Sequence, residues 1–465
     1  MSLFSNLAVG SQALLSFQKG ISSVNKNMTN VSTDGYKREI PIFSNLPNGG
    51  VNFSEAKRVY DNRLLNRMID TNQEKSYYQE LNSNLQEVEK TFSDTTGTGF
   101  SDALNDFFDS MNDIITAPDN LAARDSFLSK AQTLVGRIRD SYETLNNIKT
   151  TNSQSIQDSI NKLNDKLHTL AKINRSIKTN QNDQETLNSL LNKRDVLLQD
   201  TSSLIDTKVR FNSDHTVDLF SAKGHALVLY DKNFKVEYRT GETTKDPDTL
   251  SHVFINGVDL TDNFKSGKIG AKIETEKKID ELIKRLNTFT SNFANEVNSV
   301  QTNGYDLNLK KGKNLFKNEN INDDSKDASN IDASNIKLKF LDPEKVAASD
   351  NKDDKNELHS NNNNIKKMQD LKNKTFSNLN NQSFNEYYIS SIVTKIGSDT
   401  NHINNLFEEK SALFDTLKEK LDNLSGVNMD EELIELTQLQ KSYQASARVI
   451  TVTNEMLDTV MGLVK

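Results

Sequence analysis

Residues 3–31, LFSNLAVGSQALLSFQKGISSVNKNMTNV, repeat their large apolar side chains every seven positions. Leu7, Leu14, Ile21 and Met28 share one position, and Leu3, Phe17, Val24 and Val31 fill the companion position, with Gly10 the gap. A stripe of this 3.5-residue period calls for a second helix to cover it. The run stops at Thr33-Asp34-Gly35-Tyr36, where Gly35 supplies the left-handed geometry that ends a helix. About 30 helical residues would span roughly 45 Å.

The other end of the sequence mirrors this pattern. Leu436, Tyr443, Ile450, Leu457 and Val464 recur at sevens, with Leu433, Ala447 and Met461 on the companion positions. Gln440 and Asn454 interrupt that seam, and polar residues in a seam fix register and partner number. The two ends are thus expected to pair as coiled-coil helices and to present an assembling face.

Between them the pattern is helical from about Asp61 to Asp206, punctuated by 94–99 and by Ala117-Pro118-Asp119-Asn120. From Ile205 the period changes to two: Val209, Phe211, Val217 and Leu219, then Phe234, Val236 and Tyr238, alternate with polar neighbours. Ile255-Asn256-Gly257-Val258 is a hairpin signal, because Asn-Gly forms the type I′ turn. Helical period returns from Gly270 to Val300, residues 318–364 are rich in Asn, Asp and Lys, and helices resume at Phe384. A break at Ser425-Gly426-Val427-Asn428 precedes the acidic start of the last helix, Asp430-Glu431-Glu432.

The expected fold is mainly α with a small β domain inserted into the helical part and facing outward. Paired terminal coiled-coil helices comprise 1–35 with 430–465. A helical-bundle middle domain comprises 36–203 with 266–429, loop-rich over 318–364, and the β domain is 204–265.

Composition narrows the function. Hydrophobic residues make up 34%, too few for one thick globule, so an elongated or thin-layered molecule is expected. The net charge of −8 excludes a nucleic-acid binder, which needs a basic stripe to displace counterions. There is no cysteine, hence no disulfide, thiol nucleophile or zinc–thiolate cluster. The N-terminal residues lack the basic region of a secretory signal peptide, and no apolar run reaches the ~18 residues of a membrane span. The six histidines are scattered, and neither a phosphate-binding Gly loop nor a nucleophile elbow is present. No catalytic residue, cofactor or metal ligand is assigned, and an enzyme is not expected.

At the two ends the residues become specific. Asn27-Met28-Thr29-Asn30 followed by Gly35-Tyr36-Lys37-Arg38 resembles the signature of bacterial flagellar axial proteins, with Met28 where Ile is usual. Tyr443 to Ile450 resembles their closing helix. Interior segments narrow the resemblance to the hook-associated junction group: Ser425 to Glu432, Asp106-Phe107-Phe108 with Ser110, Pro118 and Arg124, Leu190 to Leu197, and Asp342 to Ser349.

The resemblance implies a structural subunit between hook and filament that self-assembles into a ring or short tube. It implies neighbours in the hook protein and a second junction protein. It also implies export through the flagellar type III pathway, an extracellular place in the flagellum after a cytoplasmic stage, and an export chaperone on the C-terminal helix. Neither nucleic acid nor membrane is an expected partner. The alternatives are another axial subunit, of hook or distal rod, or a secreted coiled-coil adaptor or adhesin.

Overall fold

The computed structural model describes residues 3–463 except 48, 93–98, 241–250, 324–325, 327 and 353–359. The N-terminal stripe folds as α1 (Leu3–Thr29). It stops four residues before the expected Thr33, because Asn30 folds back and donates Nδ2 to the Lys26 carbonyl at 2.9 Å. Next comes an antiparallel hairpin, β1 (Glu39–Asn45) and β2 (Val51–Arg58), whose register shifts by a bulge between Ile42 and Phe43. Residues 39–58, assigned above to the helical middle domain, are therefore a β-ribbon lying on α1.

The middle of the chain runs through α2 (Asn62–Thr91), α3 (Phe100–Asp109), α4 (Met111–Thr116), α5 (Leu121–Thr179) and α6 (Gln184–Leu204). The Asp61 carboxylate caps α2 by accepting from the amides of Arg63 and Leu64. Asn120 caps α5 in the same way, accepting from Ala122 and Ala123. The two helical stretches expected over 121–138 and 156–177 are one uninterrupted helix of 59 residues, about 90 Å long.

Seven short strands follow among the described residues. They are β3 (Thr207–Phe211), β4 (Val217–Ser221), β5 (Ala226–Leu229), β6 (Lys232–Asn233), β7 (Val236–Thr240), β8 (Ser251–Ile255) and β9 (Val258–Asp259). They form a four-stranded sheet, β3-β4-β5-β6, and a three-stranded sheet, β7-β8-β9. The Asn256-Gly257 turn joins Ile255 to Val258 with φ of 53° and 78°, the left-handed pair that a type I′ turn requires.

The chain returns through α7 (Gly267–Asn303), β10 (Phe316–Asn318), β11 (Ile336–Leu338) and α8 (Asn363–Asp370). It ends with α9 (Phe384–Tyr388), a π-helical turn over 389–393, α10 (Thr394–Ser425) and α11 (Met429–Leu463). The Asn- and Lys-rich region is sparsely helical yet well packed where described, with Ile331, Ala333, Ile336 and Val346 buried.

Among the described residues two large cores share α5 and α7 as spines, and a small third cluster joins Ile177 of α5 to Leu187 and Leu191 of α6. In the first, Phe107 stacks among Phe108, Phe127, Phe293 and Phe316 at centroid distances of 5.1–6.3 Å. Aromatic edges and faces meeting this way add to simple area burial. In the second, Ile156, Leu163, Leu167 and Leu170 of α5 meet Val217, Leu219, Val228, Val236 and Ile255 of the strands. The β segment therefore rests on α5 and has no separate interior. Two asparagines of α5 bind its strand edges: Asn164 exchanges hydrogen bonds with Val236, and Asn174 with Val217.

Candidate assembly junction at the paired chain ends

α1 and α11 run antiparallel. As α1 positions fall from 27 through 20 to 10, their α11 neighbours climb from 432 through 439 to 450. Asn27 Nδ2 donates to Glu432 Oε2 at 2.9 Å. A Cβ added to Gly20 would lie 3.3 Å from Leu439 Cδ1, and one added to Gly10 would lie 2.9 Å from Ile450 Cγ1. The absence of a side chain at these glycines is what lets the helices approach. The face of α1 that is buried within the chain is accordingly small or polar: Gly10, Ala13, Ser16, Gly20, Ser23, Val24 and Asn27.

The hairpin covers the same helix. Phe43 packs on Phe17 at 5.7 Å between centroids, and Ser16 donates to the Val51 carbonyl while accepting from the Phe53 amide.

Most of the heptad residues anticipated from sequence lie beside this contact and not in it. Of the N-terminal set only Val24 is fully buried; Leu3, Leu7, Leu14, Phe17, Ile21 and Met28 are half-buried, and Val31 is exposed. On α11, Leu436, Ala447, Ile450 and Leu457 are half-buried, while Leu433, Tyr443 and Met461 are exposed. Val464 lies outside the described residues. The buried positions of α11, Glu432, Leu439 and Thr453, were not anticipated, and Gln440 and Asn454 point away from the seam. A continuous apolar margin thus remains uncovered along both helices.

At the inner end of the pair the signature residues converge on Asn27. Its Oδ1 accepts from Tyr36 Oη at 2.9 Å and from the Glu39 amide at 3.0 Å, while Nδ2 donates to the Glu39 carbonyl and to Glu432. All of the side-chain amide is therefore engaged, with partners in the loop, the hairpin and the opposite end of the chain. Arg38 spans the same seam, with nitrogens 2.6 Å from Glu431, 2.7 Å from Glu432 and 3.6 Å from Glu435. Its amide donates to the Ser425 carbonyl just before the break between α10 and α11. Glu39, itself buried, pairs with Lys26 at 3.1 Å.

Burial dominates the acidities here. It raises the Tyr36 hydroxyl, helped by Glu39 and Glu432, and it raises the carboxyls of Glu39 and Glu435. Gly35 sits at φ +74°, and a Cβ there would lie 2.0 Å from Val196 Cγ2, so any side chain would drive the loop off α6. Asn30 plays a local part only, ending α1 and accepting from Thr33 Oγ1.

The interior motifs also lock in pairs. Asp195 of α6 receives the guanidinium groups of Arg58, at the end of β2, and of its neighbour Arg194. Arg124 of α5, 1% exposed, donates to the carbonyls of Pro118 and Val346, both at 2.6 Å, so the 342–349 segment is clamped to the start of α5. Burial lowers its pKa to about 10, where it is still charged at neutral pH.

Comparison with known proteins bears directly on this arrangement. A family model described as the flagellar hook-associated protein FlgK helical domain matches residues 85–316. A second, the C-terminal model of the flagellar basal body rod FlgEFG proteins, matches residues 422–463, which hold the break and α11. The chain belongs to the flagellar hook-associated protein family.

Relatives of that family align end to end. Flagellar hook-associated protein 1 of Bacillus subtilis is 23% identical over 99% of this chain and 98% of its own length. The protein of the same name from Salmonella typhimurium is 21% identical over 96% and 97%, and that of Escherichia coli 20% identical over 99% and 100%. The solved flagellar hook junction protein FlgK from Burkholderia pseudomallei superposes with a TM-score of 0.63 at 11% identity, covering 76% of this chain and 99% of that one. That last likeness speaks for the fold. The family is a structural one, of the flagellum.

Proposed function

We infer that this chain is a structural subunit of the bacterial flagellum that forms the junction between hook and filament. The observation that carries this reading is the Asn27–Arg38 network, in which the axial signature of one chain end binds Glu431 and Glu432 of the other. That lock presents a paired helical end whose apolar margin one chain leaves uncovered.

On this reading the terminal unit, 1–35 with 430–465, is the assembling part, with the 39–58 hairpin attached to it. The body, 59–203 with 266–429, forms the outer layer, and 204–265 faces outward. Leu3, Leu7, Leu14, Phe17, Ile21, Met28 and Val31 meet neighbouring copies together with Leu433, Leu436, Tyr443, Ala447, Ile450, Leu457, Met461 and Val464. Copies close into a ring or short tube that holds the hook protein on one side and a second junction protein on the other. The role is scaffolding and not catalysis. The subunit leaves the cytoplasm by the flagellar export route, and a chaperone covers α11 beforehand, because bare apolar margins invite premature association.

Deleting the gene and imaging the cells by electron microscopy tests the placement. Hooks without filaments, with flagellin shed into the medium, are expected. Intact filaments on the deletion strain would remove the chain from the junction.

A further inference from the structure

A polar cavity of about 190 Å³ opens where β2, α6 and the β3–β4 turn meet, lined among others by Lys57, Arg58, Asn188, Arg194, Phe211 and His215. Two of these are arginines that are almost wholly buried, Arg58 at 4% and Arg194 at 3% exposure. One carboxylate, Asp195, serves both: Arg58 Nη2 contacts Oδ2, and Arg194 Nε and Nη2 contact Oδ1 at 2.9 and 2.7 Å. Arg58 Nε is held by Asn192 at 2.7 Å, and Arg194 Nη1 by the His215 carbonyl at 2.6 Å. Arg58 Nη1 is neither hydrogen-bonded nor sealed from solvent among the described residues.

The charges do not balance. Arg58, Arg194 and Lys57 stand against Asp195 and Glu55, which leaves one positive charge at a recessed polar opening. Lys37 lies within electrostatic reach of Arg58 and Asp195 too, but Asp422 and Asp34 face it, so it adds nothing to the imbalance; burial lowers its pKa. A buried cation without a matching anion is costly, and the free Arg58 Nη1 offers one charge-assisted donor to such an anion. The cavity has room for one small oxyanion with water beside it.

We propose that this cavity binds a small oxyanion, a phosphate or a carboxylate, which supplies the second negative charge that Arg58 and Arg194 share. Its occupant bridges the terminal hairpin, α6 and the β segment. Three parts of the chain distant in sequence are then held by one ion.

The test is calorimetric titration of the full-length monomer in low-salt buffer, with inorganic phosphate in one arm and acetate in the other. Saturable one-site binding of either is expected, and the preferred arm identifies the chemistry. Lys57→Glu, at an exposed position outside every ion pair described, retains the fold and should bind about tenfold more weakly through charge reversal at the mouth. Arg58→Lys, which keeps the charge and loses the Nη1 donor, should bind weakly as well. Absence of saturable binding in both arms, or unchanged affinity in both variants, overturns the site.

Discussion

The body and the terminal pair are built on opposite packing rules. In the body, Phe107, Phe127, Phe289 and Phe293 are wholly buried and meet ring against ring. In the terminal pair the buried face of α1 is mostly small or polar, with Gly10, Ala13, Ser16, Gly20, Ser23 and Asn27 beside Val24, while Leu7, Leu14 and Ile21 are only half covered. The body completes its packing within one chain. The terminal pair uses its smallest side chains and a polar node inside the chain and leaves its larger apolar ones half covered or exposed.

The sharpest way to break that contrast is to cut into the body. Phe107→Ala should cost about 3–5 kcal/mol in urea unfolding, the range for a large aromatic removed from a packed core. A cost below about 1 kcal/mol would mean that the phenylalanine cluster is loose and the contrast overstated.

Next in size is the polar node. Asn27→Ala leaves buried Glu432 and the Glu39 backbone without their partner and should cost about 1–3 kcal/mol. That loss should fall locally. Amide exchange is expected to quicken over 10–29 and 432–453 and to stay unchanged in α5 and α7. Uniform quickening along the chain would show that ends and body unfold as one unit.

Acidity should separate the regions by sign. Glu39 and Glu435 are raised by burial, so their ionised forms strain the terminal pair, and protonation as pH falls toward the ordinary carboxylate range relieves it. Outside the terminal pair, Asp399 of the body and Asp218 of the β segment lie below their ordinary value. Burial alone would raise them, but hydrogen bonds from Tyr230 and Arg210, and from Lys395 and Lys278, prevail. Stability from such groups is present above the unfolded pKa and is lost as pH falls through the depressed one. Lowering pH from 7 to 5 should therefore protect the amides of α1 and α11, once intrinsic exchange rates are corrected, while further acidification weakens the body first. The same sign in both regions would refute this.

The smallest effect on the monomer is expected at the exposed margin. Leu433→Asp, at a position 47% exposed, should shift monomer stability by less than about 0.5 kcal/mol and yet prevent filament growth in cells. A variant that supports normal motility would detach the margin from assembly.

Much of this was readable from the sequence because helical period and turn chemistry are local. The 255–258 hairpin, the caps at Asp61 and Asn120 and the break before α11 each declare themselves within a few residues. The inner seam did not, since a heptad search follows large apolar side chains, and Gly10 and Gly20 carry no such signal although they make the contact. The β1–β2 hairpin escaped for a related reason: the bulge at Ile42/Phe43 reverses the alternation halfway, and Ile40 and Ile42 are partly exposed. Asn27 and Glu432 stand 405 residues apart, and nothing local to either one reveals the other.

The length of α5 has a mechanical corollary. Its 59 residues carry an unbroken ladder of backbone hydrogen bonds through both cores, so the body resists bending as a beam does. The terminal pair joins that beam covalently only through 59–61 and through 426–428, short crossings without helical stiffness. A load on the terminal pair would therefore reach the beam through those crossings and through the Arg58–Asp195 pair and the Asn188–Ala56 bond, which tie the hairpin to α6.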